Sequence, residues 1–418
     1  MKTCAVILAA GDGKRLKSDI PKYLQKVGGW SLLTHGIENA IASGVDEIYL
    51  VMGEGDRKNI DTGRIYVVEQ KKKRGTADAF YIALKSIPAK YKNILLFYVD
   101  IPLIKPETLK KLIFNHEKNN ANITILTTNL LKPKGYGRII RDNKGGISEI
   151  KEDDLLNAEE KKIKEVNLGV YVFKRSQLLM ANLSCIKPKG KKREKYLTEI
   201  VPFYYGKGLK ISSLKLKDAQ EGLGINSRMH LVEANSIIFK RNALHHINKM
   251  VTVMAPENTY IEKNVKIGRD SIIYPFVYIE AGVKIGKNCV IGPSAHIRSG
   301  SILDDNVSIG NFVEISRSHV ASGTKIRHFS YIGDTTIGKN VNIGAGCVTA
   351  NYDGKHKNKI TIEDDAFIGS NTTVIAPVKI GKSAITGAGS VVTKNNDIDA
   401  YEVVVGVPAK TIRRRKHG

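Results

Sequence analysis

The chain has 418 residues, of which 42% are hydrophobic, and a formal net charge of +25 at pH 7. This length predicts two or three domains, and no apolar run approaches the roughly 18 residues of a membrane span, so we expect no membrane protein. The positive charge fits nucleic acid, anionic small substrates or a lysine-rich composition. We favour the composition and expect no nucleic-acid ligand, because the lysines are spread along the chain without a basic patch interleaved with aromatic residues.

The four cysteines, Cys4, Cys185, Cys289 and Cys347, are scattered and form no Cys-x-x-Cys pair. Such spacing fits a reducing compartment and predicts no structural zinc. The apolar run Ala5–Ala10 is short and leads into a glycine loop, which favours a first buried strand over a signal peptide. We therefore expect a cytoplasmic protein.

The first half of the chain alternates strand-like and helix-like segments. Helices are predicted over Leu32–Ala42 and Ala77–Ser86. The apolar runs that predict strands are Ala5–Ala10, Glu47–Met52, Ile65–Val68, Ile94–Val99 and Ile123–Thr127. This alternation predicts an α/β domain over 1–227, with a mostly parallel, Rossmann-like sheet covered on both faces. Such a sheet binds ligands at the carboxyl ends of its strands.

A six-residue repeat dominates the second half. Ser227 precedes a helix-like segment over 228–249 that lacks glycine and proline and is predicted to link two domains. From Ile261 to Ile315 an aliphatic residue recurs at every sixth position, which is typical of a parallel β-helix. The repeat loses phase near 320–332 and over 345–361, where we expect loops that leave the coil. The sequence thus predicts a parallel β-helix over 250–418.

The segment after the first predicted strand, Gly11-Asp12-Gly13-Lys14-Arg15, has the composition of a phosphate-binding loop. It does not match a Walker P-loop, because Arg15 stands where Ser or Thr would bind Mg²⁺. It does not match Gly-x-Gly-x-x-Gly either, because Leu16 takes the place of the third glycine. Backbone N–H groups with Arg15, Lys17 and Lys22 nearby suit a polyphosphate. A solvated basic loop is the alternative.

An aspartate follows the strand predicted over Ile94–Val99. Asp100 stands at the carboxyl end of that strand, two residues before Pro102. A carboxylate in this position is well placed to hold Mg²⁺ beside a triphosphate. An ordinary turn aspartate is the alternative.

Several motifs occur in the order found in one enzyme family: LAAGDGKRL…IPK, EQKKKRGTADA, YVDIPLI, GYGRI, VNLGVYVF and GIN. They resemble the nucleotidyltransferase half of the GlmU family, and the hexapeptide repeats follow as in that family. The resemblance implies a left-handed β-helix, a homotrimer with sites between subunits, and a bifunctional enzyme that makes UDP-N-acetylglucosamine, a cell-wall precursor. The implied substrates are UTP, acetyl-CoA, glucosamine-1-phosphate and N-acetylglucosamine-1-phosphate.

The resemblance also implies roles in uridylyl transfer. Arg15 and Lys22 would neutralise the triphosphate, and Asp100 and Asn226 would hold Mg²⁺. A sugar-1-phosphate oxygen would attack the α-phosphorus of UTP in line, without a covalent enzyme intermediate. The residues implied to line the nucleotide are Leu8, Ala9, Ala10, Gly11, Gln70, Gly75, Thr76 and Tyr98. Those implied for the acetamido sugar are Gly137, Glu152, Asn167, Tyr196 and Thr198.

A second site is indicated by His328 and by the polar segment Asn351-Tyr352-Asp353, which the packing of a β-helix does not need. A base of pKa near 7 suits acetyl transfer to an amino sugar, whose amine must lose a proton. In the GlmU family, His328 corresponds to the catalytic base, with Glu314 as the acid that orients it. The resemblance implies sugar-phosphate contacts from Arg298, Tyr331, Asn342 and Lys357, and acetyl-CoA contacts from Ala345, Asn351, Tyr352, Ser370 and Ala388.

Two alternatives remain for the β-helix. It could serve only to assemble an oligomer of a sugar-1-phosphate nucleotidyltransferase. It could also hold a metal through His296, His319 and His328, although their spacing forms no familiar ligand pattern.

Several positions depart from the family's pattern. Val99 replaces a glycine before the metal-site aspartate, and Leu168 replaces a threonine of the sugar pocket. Ser316 replaces a lysine that binds the sugar phosphate, and neighbouring Arg317 is expected to point elsewhere, because adjacent residues of a strand alternate in direction. The exact sugar is therefore left open.

Overall fold

The structure, a computed structural model, describes residues 1–11, 13, 16–55, 63–190 and 193–415. The chain divides into two units, Met1–Ala234 and Asn235–Gly418. The division lies within the helix Arg228–Ile247. In the residues so described, no helix is long and apolar enough to cross a membrane.

In chain order, the strands of the first unit are β1 (Thr3–Leu8), β2 (Lys26–Val27), β3 (Trp30–Ser31), β4 (Ile48–Gly53), β5 (Ile65–Gln70), β6 (Asn93–Tyr98), β7 (Ile123–Asn129), β8 (Arg138–Arg141), β9 (Ile147–Lys151), β10 (Glu165–Lys174) and β11 (Ile211–Lys215). The helices that begin in this unit are α1 (Leu32–Ala42), α2 (Thr76–Ser86), α3 (Pro106–Lys118), α4 (Gln177–Cys185), α5 (Ile200–Gly206) and α6 (Arg228–Ile247).

Strand β1 lies in the middle of the main sheet, whose order is β11-β7-β10-β6-β1-β4-β5. All six side chains of β1 are buried. Val6 belongs to a core cluster with Phe80 of α2. On the opposite face, a Cβ built on Gly36 of α1 would lie 3.7 Å from Ile7. Helices therefore cover both faces, which explains why β1 is apolar throughout.

The predicted α/β class is confirmed, and the sheet is more mixed than a purely parallel one. Strands β6, β1, β4 and β5 run parallel. The ten-residue strand β10 runs antiparallel to both β6 and β7. The sequence reading did not assign β10 as a strand, although its apolar core was among the motifs. A shift of register in β10 between Asn167 and Tyr171 leaves Asn167 at a break in the ladder.

The second unit consists of short strands: β12 (Thr252–Val253), β13 (Tyr260–Ile261), β14 (Lys266–Ile267), β15 (Ile272–Ile273), β16 (Tyr278–Ile279), β17 (Lys284–Ile285), β18 (Val290–Ile291), β19 (His296–Ile297), β20 (Ile302–Leu303), β21 (Ser308–Asn311), β22 (Glu314–Ser316), β23 (His319–Val320), β24 (Lys325–His328), β25 (Tyr331–Gly333), β26 (Thr335–Ile337), β27 (Asn342–Ile343), β28 (Val348–Ala350), β29 (Ile360–Ile362), β30 (Phe367–Ile368), β31 (Thr373–Ile375), β32 (Val378–Ile380), β33 (Ile385–Thr386), β34 (Val391–Val392), β35 (Glu402–Val405) and β36 (Lys410–Arg414).

These strands form the three faces of a β-helix. The first face runs from β12 through every third strand to β33 and then β35 and β36, the second from β13 to β34, and the third from β14 to β32. The residues of the six-residue repeat, from Ile261 to Ile315, are buried in one continuous core. The predicted β-helix is therefore confirmed, because each repeat supplies one inward aliphatic side chain per face.

The prediction of a loop near 320–332 is wrong. Strands β23, β24 and β25 occupy this segment, and Val320, Ile326 and Ile332 continue the core. The phase changes because coils here pair at a spacing of 17 residues, as in Glu314 with Tyr331. Most other pairs have a spacing of 18, as in Tyr260 with Tyr278, and the first coil has a spacing of 20, as in Thr252 with Ile272. A coil that is one residue shorter keeps its strands in register by tightening a corner.

The second phase change is a real insertion. Thr335 pairs with Ile360, 25 positions later. The extra residues follow β28 and leave the coil as a loop over 351–359, in which Tyr352 and Lys357 form an isolated bridge. We call 351–359 the inserted loop.

Candidate functional site

A cavity of about 250 Å³ opens at the carboxyl ends of β1, β5 and β6. This is the edge at which parallel strands of an α/β sheet present ligand-binding residues. The residues predicted for the nucleotide and its phosphates that line the cavity are Leu8, Ala9, Ala10, Gly11, Lys22, Gln70, Gly75, Thr76, Tyr98 and Asp100. Arg15 and Lys14 lie outside the described residues.

Four more residues line the same cavity and were not among the predicted site residues: Lys73, Ala79, Val99 and Glu194. Lys73 lies in the motif that also contains Gln70 and Gly75, so the motif itself could have indicated it. Glu194 lies far along the chain from the other lining residues, and no local pattern in the sequence marks it.

Lys22, Asp100 and Asn226 converge on one point of the cavity wall. The Lys22 ammonium donates to Asp100 Oδ2 at 2.6 Å and to Asn226 Oδ1 at 3.2 Å. The side chains of Lys22 and Asp100 are only 12% and 19% exposed. A carboxylate and an amide oxygen that share a cation are suitable ligands for Mg²⁺, which also takes substrate phosphates as ligands. The ammonium shows that both oxygens can face one cation, so this pair fits the implied metal.

Gly75 and Gln70 form a compact turn at the start of α2. Gln70 Nε2 donates to Gly75 O at 3.3 Å and to Asp78 Oδ2 at 3.0 Å. Gly75 has φ of +115°, and a Cβ there would lie 2.5 Å from the backbone N of Lys195. Only glycine fits this conformation and this approach. The turn places Thr76 on the cavity wall.

The residues predicted for the acetamido group lie near one another. Thr198 Oγ1 donates to Glu152 Oε1 at 2.9 Å, and the backbone N of Asn167 donates to Gly137 O at 2.9 Å. A Cβ on Gly137 would lie 3.6 Å from Glu152 Oε2. Burial raises the pKa of Glu152, and burial raises that of Tyr196 to about 12. The group thus offers hydrogen-bonding groups in a poorly hydrated environment.

Two tyrosines connect this group to the nucleotide cavity. Asn167 Nδ2 donates to the Tyr171 hydroxyl at 2.6 Å. Tyr98, which lines the cavity, packs on Gly169, where a Cβ would lie 2.6 Å from its ring. Burial raises the pKa of Tyr98, and both Thr76 and Tyr171 hydrogen-bond with its hydroxyl. Leu168 packs on Gly222, where a Cβ would lie 2.5 Å from Leu168 Cδ2.

His328 lies at the corner between the first and second faces of the β-helix. His328 pairs with Asn311 of the preceding coil. The same register continues through the next coils. It is set by the pairs Ile326 with Ile343, Ile343 with Ile368, and Ile368 with Thr386. His328 therefore stands in one column with the predicted acetyl-CoA residues Ala345, Ser370 and Ala388. Adjacent strands are about 4.8 Å apart, so the column is about 14 Å long.

A row of polar side chains runs up the second face beside this column. Glu314 pairs directly with Tyr331 of the next coil. Arg298 Nε donates to Glu314 Oε1 at 2.8 Å. The structure thus brings together Arg298 and Tyr331, both predicted for the sugar phosphate, and Glu314, predicted to orient the base. Glu314 lies on a different face from His328, so its role in orienting His328 stays a prediction.

Two further predicted sugar-phosphate contacts lie elsewhere. Asn342 is on the first face, paired with Lys325 of the preceding coil. Lys357 is exposed in the inserted loop, opposite Tyr352. A single protomer therefore spreads the predicted acetyltransferase residues over two faces and a loop.

The inserted loop begins with a network that the sequence reading did not identify. Arg317 donates to both carboxylate oxygens of Asp334, at 2.7 and 2.8 Å, and Asn351 Nδ2 donates to Asp334 as well. Hydrogen bonding from Arg317 lowers the pKa of Asp334. Arg317 also donates to the buried Ser316 Oγ at 2.7 Å. No local pattern could have revealed this network, because its members belong to three coils.

The three histidines considered for a metal lie on different faces. His296 is on β19 of the second face, bonded to Glu280 at 3.0 Å. His319 is on β23 of the third face, bonded to Asp304 at 3.1 Å. His328 is on the first face. Within 1–11, 13, 16–55, 63–190 and 193–415, no group of three or more His, Cys, Asp or Glu side chains is arranged to hold a metal.

The fold and the two sets of residues define a nucleotidyltransferase joined to a hexapeptide-repeat transferase. The family model described as "MobA-like NTP transferase domain" matches residues 5–154. The model "Bacterial transferase hexapeptide (six repeats)" matches 282–317 and 359–394, and "Hexapeptide repeat of succinyl-transferase" matches 259–293 and 334–354.

The chain belongs to the GlmU family. It is 37% identical to "Bifunctional protein GlmU" of Carboxydothermus hydrogenoformans, over 93% of this chain and 95% of the relative. It is 38% identical to that of Syntrophomonas wolfei, over 94% and 96%, and 40% identical to that of Thermosipho africanus, over 94% and 92%. The resemblance seen in the motifs is confirmed.

Proposed function

We propose that this protein makes UDP-N-acetylglucosamine in two steps: acetyl transfer from acetyl-CoA to glucosamine-1-phosphate, then uridylyl transfer from UTP to N-acetylglucosamine-1-phosphate. The observation that carries this proposal is the match to bifunctional GlmU proteins along nearly the whole chain. Each unit contributes its own group of residues suited to one of the two reactions.

In the first unit, the backbone of Leu8–Gly11 and the turn of Gln70–Thr76 would hold the nucleotide. Lys22 would exchange its contact with Asp100 and Asn226 for the phosphates of UTP, where its charge favours departure of pyrophosphate. When Mg²⁺ is bound by Asp100 and Asn226, it neutralises charge on the phosphates. The sugar phosphate, aligned by Asn167 and Glu152, attacks the α-phosphorus.

In the second unit, His328 would take a proton from the amine of glucosamine-1-phosphate. The neutral amine then attacks the thioester carbonyl of acetyl-CoA. As the C–S bond breaks, the proton that the nitrogen loses passes to the departing sulfur, and CoA leaves as the thiol. The column from His328 to Ala388 supports this arrangement, because an extended cofactor lying along it would present its acyl end to the base. Arg298 binds Glu314, which pairs with Tyr331 in the coil of His328, and Arg298 and Tyr331 both suit a sugar phosphate.

We also propose that three copies of the chain assemble through the β-helix. Phe276, Phe312 and Phe329 occupy the corner next to His328, and each is more than 55% exposed. Exposed aromatic side chains repeated along one corner favour a protein partner, and a second copy would cover them beside the site. UTP and acetyl-CoA are intracellular substrates, which supports a cytoplasmic location. Sedimentation should give a trimer, and Phe312→Ser should shift it toward monomers.

Two assays test the proposed function. With Mg²⁺, UTP and N-acetylglucosamine-1-phosphate, the enzyme should release pyrophosphate. With acetyl-CoA and glucosamine-1-phosphate, it should release the CoA thiol. His328→Ala should abolish only the second reaction and Asp100→Ala only the first. A wild-type enzyme that releases pyrophosphate but no thiol would favour the alternative in which the β-helix serves assembly alone.

A further inference from the structure

Three irregular turns of the β-helix lie at one corner, between the second and third faces. From Ile315 to Val320 the core positions are five residues apart instead of six, and the same holds from Ile332 to Ile337. The inserted loop leaves the coil at this corner one turn later. We call these turns the irregular corner. Shortening two successive turns brings their corner residues close to the base of the loop.

Two charged residues at this corner adopt a left-handed conformation. In the coils below, the same corner is occupied by Gly282 and Gly300, with φ of +80°. The next two coils place Arg317 and Asp334 there, each with φ of +48°. Arginine is rare in this region of backbone space, and glycine is the residue that avoids the steric cost. The side chains of Arg317 and Asp334 therefore provide something that glycine does not.

What they provide is a connection to the inserted loop. Arg317 holds Asp334 through two parallel hydrogen bonds, a geometry that fixes direction as well as distance. Asp334, whose side chain is 15% exposed, accepts from Asn351, the first residue of the loop. Asn351 is itself 5% exposed, and its backbone oxygen accepts from Asn358 N at 2.7 Å, which closes the loop.

The same network reaches the substrate side of the corner. A Cβ on Gly333 would lie 2.6 Å from the Tyr331 hydroxyl and 2.9 Å from Asn351 Nδ2. Tyr331 and Asn351 thus approach each other over a residue that has no side chain. Arg317 is bound on both sides, to Ser316 and to Asp334, so its guanidinium is held in the wall of the corner.

We propose that Arg317 and Asp334 are positioning residues for acetyl transfer: their ion pair fixes Asn351, and through it the inserted loop, against acetyl-CoA. This inference rests on the proposed acetyltransferase function. Ser316 stands where the family has a lysine that binds the sugar phosphate. Arg317 does not take over that role, because its hydrogen bonds are directed at Asp334. Its contribution is to keep the loop in one conformation before the cofactor binds.

Asp334→Ala and Arg317→Ala test the proposal. Each should raise the KM for acetyl-CoA about tenfold, because two charge-assisted hydrogen bonds no longer order the loop, while kcat changes less than about twofold. The double variant should resemble either single one, because both remove the same interaction. Arg317→Lys, which keeps the charge with a single donor group, should recover part of the loss.

The matched control is Lys379→Ala. Lys379 and Glu363 form another ion pair between neighbouring coils, at 2.6 Å, away from the irregular corner. Its loss should leave the KM for acetyl-CoA unchanged. If the Lys379 and Asp334 variants raise KM equally, the effect is general loosening of the β-helix, and the proposal is wrong. Unchanged KM in both corner variants also overturns it.

Hydrogen exchange gives a readout that is independent of catalysis. The amides of Asp353 and Asn358 are hydrogen-bonded within the inserted loop. They should exchange at least about tenfold faster in Asp334→Ala than in wild type or Lys379→Ala, with the unfolding temperature unchanged. Faster exchange in a protein whose wild type releases no CoA thiol would support the network and contradict only the proposed function. Unchanged exchange in Asp334→Ala would contradict the network itself.

Discussion

The α/β unit and the β-helix assemble their sites from very different parts of the chain. In the α/β unit, the cavity combines Leu8, Gln70 and Tyr98, the last residues of three separate strands, with Glu194 from a distant segment. In the β-helix, the column of His328, Ala345 and Ser370 follows from the spacing of successive coils. The cavity of the α/β unit depends on the packing of the whole sheet. The column of the β-helix depends only on the register between neighbouring coils.

The largest effect is expected from removing the inserted loop, which would make the β-helix more regular. Deleting 352–358 would bring the spacing of Thr335 and Ile360 from 25 to 18, the value of other coils. We expect the β-helix to fold, with an unfolding temperature within a few degrees of wild type, since these residues are outside its core. CoA release should fall at least about 100-fold, and pyrophosphate release should not change. Retained CoA release would exclude a role for the loop.

The α/β unit can be tested through the cation that its two metal-site oxygens already share. Lys22→Met removes the ammonium between Asp100 and Asn226. Mn²⁺ alone should then bind about tenfold tighter by electron paramagnetic resonance, because the cation no longer competes for the carboxylate. Uridylyl transfer should fall about 100-fold. Lys73→Met, in the same cavity, is the control, and equal Mn²⁺ affinity in both variants would refute the competition.

Core substitutions test whether a defect in one coil of the β-helix affects activity only near that coil or along the whole β-helix. Ile332 and Ile273 are both fully buried in the β-helix. Replacing either by alanine should cost about 2–5 kcal/mol of unfolding free energy, measured by denaturant titration. Only Ile332→Ala, which lies in the coil of Tyr331, should lower CoA release, because each coil contacts only its neighbours. Equal losses of activity would show that the β-helix transmits damage as a globular core does.

The smallest expected effect is a pH dependence in the α/β unit. Burial raises the pKa of Glu152 above its unfolded value. Folding then favours the protonated acid, so its contribution to stability is present at low pH and is lost as the pH rises through the folded pKa. Between about pH 4 and 7, Glu152→Gln should therefore gain unfolding temperature relative to wild type. Equal unfolding temperatures of the two proteins across this range would contradict the prediction.

The repeat and the order of the motifs allowed both folds to be predicted. Inward aliphatic residues at a period of six leave a β-helix as the only efficient packing, and alternating strands and helices leave an α/β sheet. The cavity residues could be predicted because their motifs lie directly after strands. Glu194 could not, since nothing in its neighbourhood indicates where its segment packs.

The sequence by itself determined the period of the coil, the apolar strands and the presence of His328 and Asp100 at phase changes or strand ends. Only the tertiary structure decided that the shift near 320–332 is two shortened turns and the shift over 345–361 an insertion. Both disturb a six-residue pattern in the same way. They are distinguished by which strands pair, and pairing depends on hydrogen bonds between residues 17, 18 or 25 positions apart. For the same reason, the contact of Arg317 with Asp334 and Asn351 belongs to the fold alone.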